Sequence, residues 1–188
     1  MLFLLLGLVV KAQEDITLFR FISKKEVSGK VYAVSPFFKE SLIQAKELSS
    51  KTFDLETGYL DAFILIPHPD LNAGTFFIAS AIDKTVYLRP DSFSKKILLR
   101  DYNNDPSLSK PIFYAWTMSY AGSKDEVYLE PFLKNNEGEV LTFENGSFIL
   151  KGIEDTKGVA IRENDRVSSG ERISDKQIII IQRLKNSL

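Results

Sequence analysis

The sequence lacks cysteine altogether, and its 188 residues include one histidine and one tryptophan. Without cysteine there is no disulfide, no thiolate nucleophile, no thiolate zinc site and no lipoprotein acyl anchor. With a single imidazole, no His–His metal pair can form within one chain, and a histidine-based triad has only His68 to use. Neither sign of charge dominates: 24 Lys and Arg face 25 Asp and Glu, a net charge of −1. That balance leaves out the basic footprint of a nucleic-acid binder, so no nucleic-acid partner is expected. No phosphate-cradling glycine loop, dinucleotide fingerprint or Gly-x-Ser-x-Gly elbow occurs. Ser92–Lys95 and Ser107–Lys110 match a Ser-x-x-Lys spacing, but a chain this rich in Ser and Lys produces such matches by chance.

The chain starts with a nine-residue apolar run, Leu2–Val10. Spanning a bilayer takes about 20 residues, so this run fits the apolar region of a signal peptide instead. Val10 and Ala12 stand at −3 and −1 of a cut after Ala12, although only the Met1 amine supplies positive charge before the run. Residues 1–12 are therefore expected to be removed. Residues 13–188 then remain, 176 in number, with 23 basic residues against 25 acidic. The expected location is outside the cytoplasm, periplasmic or extracellular, with no transmembrane span in the mature chain.

A chain of that length buries about 70% of its unfolded surface, enough for one self-sufficient core. No linker composition or charge block divides it, and no repeat of 20–50 residues is visible, so a single β-rich domain is expected. Short apolar or alternating segments rich in Val, Ile, Phe, Tyr and Thr recur with turn residues between them. They are Ile16–Ile22, Lys30–Val34, Tyr59–Ile66, Thr75–Ile82, Thr85–Arg89, Ile97–Asp101, Ile112–Tyr120, Glu126–Leu133, Glu139–Glu144, Ser147–Lys151, Val159–Glu163 and Gln177–Leu184. This spacing predicts a mainly β fold, α+β at the margin, as an antiparallel barrel or sandwich. One helix is expected after the second strand. Ser35 and Pro36 suit its start, and Phe38, Leu42, Ala45 and Leu48 form an apolar stripe ending near Lys51.

Asn145-Gly146 is the preferred two-residue hairpin turn, since both positions need φ > 0. It predicts Phe143 opposite Phe148, Leu141 opposite Leu150 and Thr142 opposite Ile149. Asn145-Gly146-Ser147 also matches a glycosylation sequon, but the turn accounts for the same residues. The continuous runs Phe63–Ile66 and Ile178–Ile181 read as strands covered on both faces, and Pro131 as a mark of an edge or bulge.

Three constellations could carry function. Ile112–Tyr120 alternates so that Tyr114, Trp116 and Tyr120 share one face, a ligand-lining surface or a β core. Asp101, Asn103 and Asp105 place oxygen side chains at alternate positions, as a loop around calcium would. Pro106 and Ile112 depart from the EF-hand pattern, and an Asx-rich turn explains the same residues. His68 and Asp70, separated by Pro69, could be a base and its orienting partner after a strand. No other cofactor is indicated.

The favoured reading is an exported, non-enzymatic β domain that binds a small molecule, a carbohydrate or an envelope protein. The alternative is an exported hydrolase using His68 and Asp70, or carboxylates that the fold brings together. Export makes a direct prediction. Mass spectrometry of secreted material should find Gln13 at the N terminus, and an intact Met1 in a cytosolic fraction overturns it.

Overall fold

The computed structural model describes residues 17–39, 42–48, 61–69, 71, 74–106, 110–133, 138–154 and 174–184. The signal-like segment, Asp70 and the expected strand Val159–Glu163 lie outside them.

Six strands close into an antiparallel barrel: β1 (Leu18–Ser23), β4 (Phe63–Pro67), β5 (Thr75–Ser80), β8 (Ala115–Tyr120), β9 (Glu126–Pro131) and β12 (Ile179–Leu184). Each pairs with the next, and β12 pairs with β1 from Leu18↔Leu184 to Ser23↔Ile179. Between the barrel strands lie three hairpins: β2 (Val31–Lys39) with β3 (Leu42–Leu48), β6 (Val86–Pro90) with β7 (Ile97–Asp101), and β10 (Glu139–Glu144) with β11 (Ser147–Gly152). The hairpins meet one another: β3 pairs with β7 at Leu42↔Leu98, Lys96 bridges to Ile149 on β11, and β11 contacts β3.

The chain therefore runs barrel strand, hairpin, barrel strand three times over. The units β1–β4, β5–β8 and β9–β12 start at Leu18, Thr75 and Glu126, that is 57 and 51 residues apart. This threefold organisation has a longer period than the 20–50 residues considered in the sequence. The fourth residues of β1, β5 and β9 are Phe21, Ile78 and Leu129, all fully buried. Phe63, Trp116 and Ile179, at the starts of β4, β8 and β12, complete a layer of six buried side chains inside the barrel. Equivalent positions keep apolar character but not identity. All twelve strands contribute to the same core cluster.

The mainly β antiparallel fold is as expected; the helix over Ser35–Lys51 is not. Its described residues, 35–39 and 42–48, belong to β2 and β3, with the register shifting between Ser35 and Lys39. Pro36 has no ladder donor, and a bulge is where a strand tolerates it. The apolar stripe with helical spacing is outweighed by cross-strand pairing of Val31 with Leu48 and Val34 with Ala45. Among the described residues the only helix is one turn, Lys110–Phe113, where Pro111 suits the first turn. It shortens the expected strand Ile112–Tyr120 to Ala115–Tyr120. No helix among the described residues is long and apolar enough to cross a membrane.

The Asn145-Gly146 hairpin forms in the expected register, with φ of 50° and 76° at the two turn residues. Pro131 marks neither an edge nor a bulge. It ends β9 opposite Trp116, where no further ladder donor is needed from it. β4 and β12 are each flanked by two strands, but their outward residues are half-exposed rather than covered.

Trp116 fills the barrel and also ties it to the second hairpin, donating its Nε1–H to the Leu88 carbonyl at 3.2 Å. Trp116→Ala should lower the unfolding free energy by about 3–5 kcal/mol in urea titration, the usual cost of emptying a buried aromatic site. A loss under 1 kcal/mol would contradict this placement.

Candidate functional site

Alternation along β6 and β7 gives the second hairpin two unlike faces. Val86, Leu88, Ile97 and Leu99 point into the core and are buried. Tyr87 and Arg89 on β6, with Leu98 and Arg100 on β7, point the other way, since Tyr87 pairs with Arg100 and Arg89 with Leu98. Tyr102 continues this face one step beyond β7, its amide bonded to the Thr85 carbonyl at 2.8 Å.

This outward face rests on an aromatic cluster separate from the main core. Phe77 on β5 and Tyr114 just before β8 are buried, and half-buried Tyr87 and Tyr102 lie against them. Tyr87 and Tyr102 stack at 4.8 Å between ring centroids, inclined by 23°. Phe77 lies 5.5 Å from each, and Tyr114 meets Tyr102 edge-on at 5.2 Å. The Tyr114 hydroxyl donates to Asp105 Oδ2 at 2.9 Å. Arg89 approaches the same oxygen at 3.4 Å while lying over the Phe113 and Tyr114 rings. The result is a half-buried pair of phenols with polar tips, backed by rings and bordered by guanidinium groups. Burial pushes the Tyr114 phenol well above its ordinary range, and the hydrogen bond to Asp105 adds to the shift. Burial also raises Tyr102, and raises Tyr87 with a further push from Tyr102. All three therefore stay neutral hydrogen-bonding groups at ordinary pH.

The residues singled out in the sequence are distributed differently from expectation. Tyr114, Trp116 and Tyr120 do not share a surface. Tyr114 underlies the aromatic cluster, Trp116 is in the barrel core, and Tyr120 is 74% exposed at the end of β8. The helical turn at Lys110–Phe113 takes Tyr114 out of the alternation, while Trp116 and Tyr120 share one face of β8 but sit at its buried and exposed ends. Asp101, Asn103 and Asp105 do not converge either. The Asp101 carboxylate accepts from the Asn103 amide at 2.9 Å and from the Asn104 side chain, whereas Asp105 turns inward to Tyr114 and Arg89. Among the described residues no three His, Cys, Asp or Glu side chains gather as a metal site would require. His68 is 8% exposed, its ring 4.7 Å from that of Phe77 and its Nδ1 accepting from the Leu71 amide at 3.1 Å. That bond occupies one of the two nitrogens a base could use. Tyr87, Arg89, Arg100 and Tyr102 had no place in the sequence reading. Their signal was the polar-aromatic side of two alternating strands, Thr85–Arg89 and Ile97–Asp101.

No protein-family model matches the sequence, and a search of curated proteins returns no match. Solved structures do match. A GH54 α-L-arabinofuranosidase aligns at a TM-score of 0.59 and 9% identity, over 89% of this chain and 31% of the enzyme. The β-trefoil BEL aligns at 0.54 and 13%, over 89% of this chain and 93% of its own. The Polyporus squamosus lectin bound to Neu5Acα2-6Galβ1-4GlcNAc aligns at 0.53 and 13%, over 88% and 49%. This chain thus spans about a third of the arabinofuranosidase. The likeness shows the fold, a β-trefoil: a six-stranded barrel with three hairpins.

The raised phenols make a pH prediction. A group whose folded pKa exceeds its unfolded value keeps its proton longer in the folded state, so stability falls as pH rises past the unfolded value. Alkaline titration should show stability declining above the ordinary phenol value of 10.0, with part of the tyrosinate absorbance appearing only on unfolding. Tyrosines that all ionise together near 10.0 in the native state would contradict the cluster.

Proposed function

We propose that this chain is an exported, non-enzymatic carbohydrate-binding domain whose sugar site is the outward face of β6 and β7. The observation that carries the reading is the Tyr87–Tyr102 pair, half-buried on a bed of Phe77 and Tyr114 and bordered by Arg89 and Arg100. A pyranose ring has one face of C–H groups and a rim of hydroxyls. Such a ligand matches broad apolar rings with phenol and guanidinium groups at their edges. The polar rim also explains why these rings lie apart from the main core instead of merging with it. The Polyporus squamosus lectin, with a glycan bound, lends the fold a precedent for the role. The apolar run Leu2–Val10 supports export, which suits a domain that meets glycans outside the cell.

The test is a glycan array followed by calorimetry on the selected sugar. Tyr87→Ala and Tyr102→Ala should each weaken binding by about 30-fold or more, as loss of an aromatic anchor does. Tyr120→Ala, altering an exposed ring elsewhere, should leave affinity unchanged while circular dichroism confirms folding of all three. Failure of the native chain to bind any glycan overturns the proposal, and so does full affinity in both Tyr87→Ala and Tyr102→Ala.

A further inference from the structure

We propose that this site selects saccharides carrying an anionic group, a carboxylate or a sulfate ester, which the Arg100 guanidinium receives while the sugar ring rests on the tyrosine pair. The inference rests on the sugar-binding reading above and sharpens it. It comes from the different circumstances of the two guanidinium groups on one hairpin face.

Arg89 is engaged. It is 3.4 Å from Asp105, covers the Phe113 and Tyr114 rings and also acts on the Asp91 carboxylate, so its charge is answered within the fold. Arg100 is exposed, directly across the strands from Tyr87 and two residues from Tyr102. Among the described residues, no carboxylate forms an ion pair with it. The carboxylates at the same end of the hairpin are occupied locally. Asp83 accepts from the Thr85 amide and hydroxyl, and Asp101 from Asn103 and Asn104. Tyr87 and Tyr102 cannot neutralise Arg100, because they stay protonated. Among the described residues the Arg100 charge on the platform therefore has no ion-pair partner.

A guanidinium presents a planar fork of donors that matches two oxygens of a carboxylate or sulfate. Next to a stacking surface it is placed for an acidic substituent projecting from the edge of a ring lying on Tyr87 and Tyr102. A neutral sugar would leave that fork to water.

The experiment uses matched pairs with the full chain in calorimetry. One pair is an oligogalacturonate and its methyl ester; the other is a sulfated galacto-oligosaccharide and its desulfated form. The acidic member of at least one pair should bind about tenfold tighter or more, the ordinary worth of a charge-assisted hydrogen bond. The preference should shrink with added salt. The pair that shows it identifies the anion as carboxylate or sulfate. Arg100→Gln should abolish the preference and Arg100→Lys should retain part of it. Lys124→Gln, on an exposed turn elsewhere, should keep it whole. Equal binding within both pairs overturns the inference and leaves sugar binding standing, as does a preference that survives Arg100→Gln. No binding to any of the four sugars overturns the inference, and sugar binding falls with it only if the glycan array is blank as well.

Discussion

The pairing of β12 with β1 is the contact on which the remaining architecture depends. Six residues of each strand are in register, from Leu18↔Leu184 to Ser23↔Ile179. Without it the six barrel strands would be an open sheet with two edges of unpaired amides and carbonyls. Closure removes both edges and fixes the diameter of the interior. That interior is then filled by side chains from all six strands, among them Phe21, Phe63, Ile78, Trp116, Leu129 and Ile179. The hairpins dock against the closed end, and the Trp116–Leu88 hydrogen bond connects the second of them to the barrel. The candidate site is thus built on a hairpin whose position is set by closure elsewhere in the chain.

The two faces of that hairpin have separate tasks with one physical origin. Strand alternation sends Val86, Leu88, Ile97 and Leu99 inward, and their burial immobilises the backbone. Tyr87, Arg89 and Arg100 stand on the same backbone facing outward, and so are held before any ligand arrives. Tyr114 and Phe77 restrict the tyrosine rings from below. A site arranged in advance loses less conformational freedom on binding, which raises affinity without additional contacts.

Much of the β architecture was legible in the sequence because it rests on local chemistry. Asn145-Gly146 fixed a hairpin because few other residues accept positive φ at both turn positions. Ile97–Asp101 and Glu139–Glu144 read directly as strands from their composition and alternation. The segment from Ser35 misled because its apolar residues satisfy helical spacing, while the deciding influence, pairing of β3 with β7, comes from residues some fifty positions away. The threefold organisation was hidden because a barrel interior asks only for apolar volume: phenylalanine, isoleucine and leucine occupy equivalent places. The candidate site was hidden for a related reason. Its rings come from positions 77, 87, 102 and 114, and only the folded chain makes them neighbours. Trp116 drew attention as the lone tryptophan, yet it is a core residue, and the polar-rimmed rings lie on the other face of the same unit, β5–β8.

The three hairpins share a framework but differ in what they display. By register, the β2–β3 face turned away from the main core carries Val31, Ala33 and Ser35, all buried, with Gln44, Lys46 and Leu48. On β10 and β11 the corresponding set is Val140 and Thr142, both buried, and Glu144, with Ser147, Ile149 and Lys151, and Lys151 is tied to Glu144 and Glu154. Neither set contains an aromatic ring. Among these described hairpin residues the tyrosine pair therefore occurs once, so the proposed site is not repeated on them. A single platform of this kind would engage a polymeric glycan one contact at a time, without the cross-linking or gain in avidity that repeated sites on one scaffold confer.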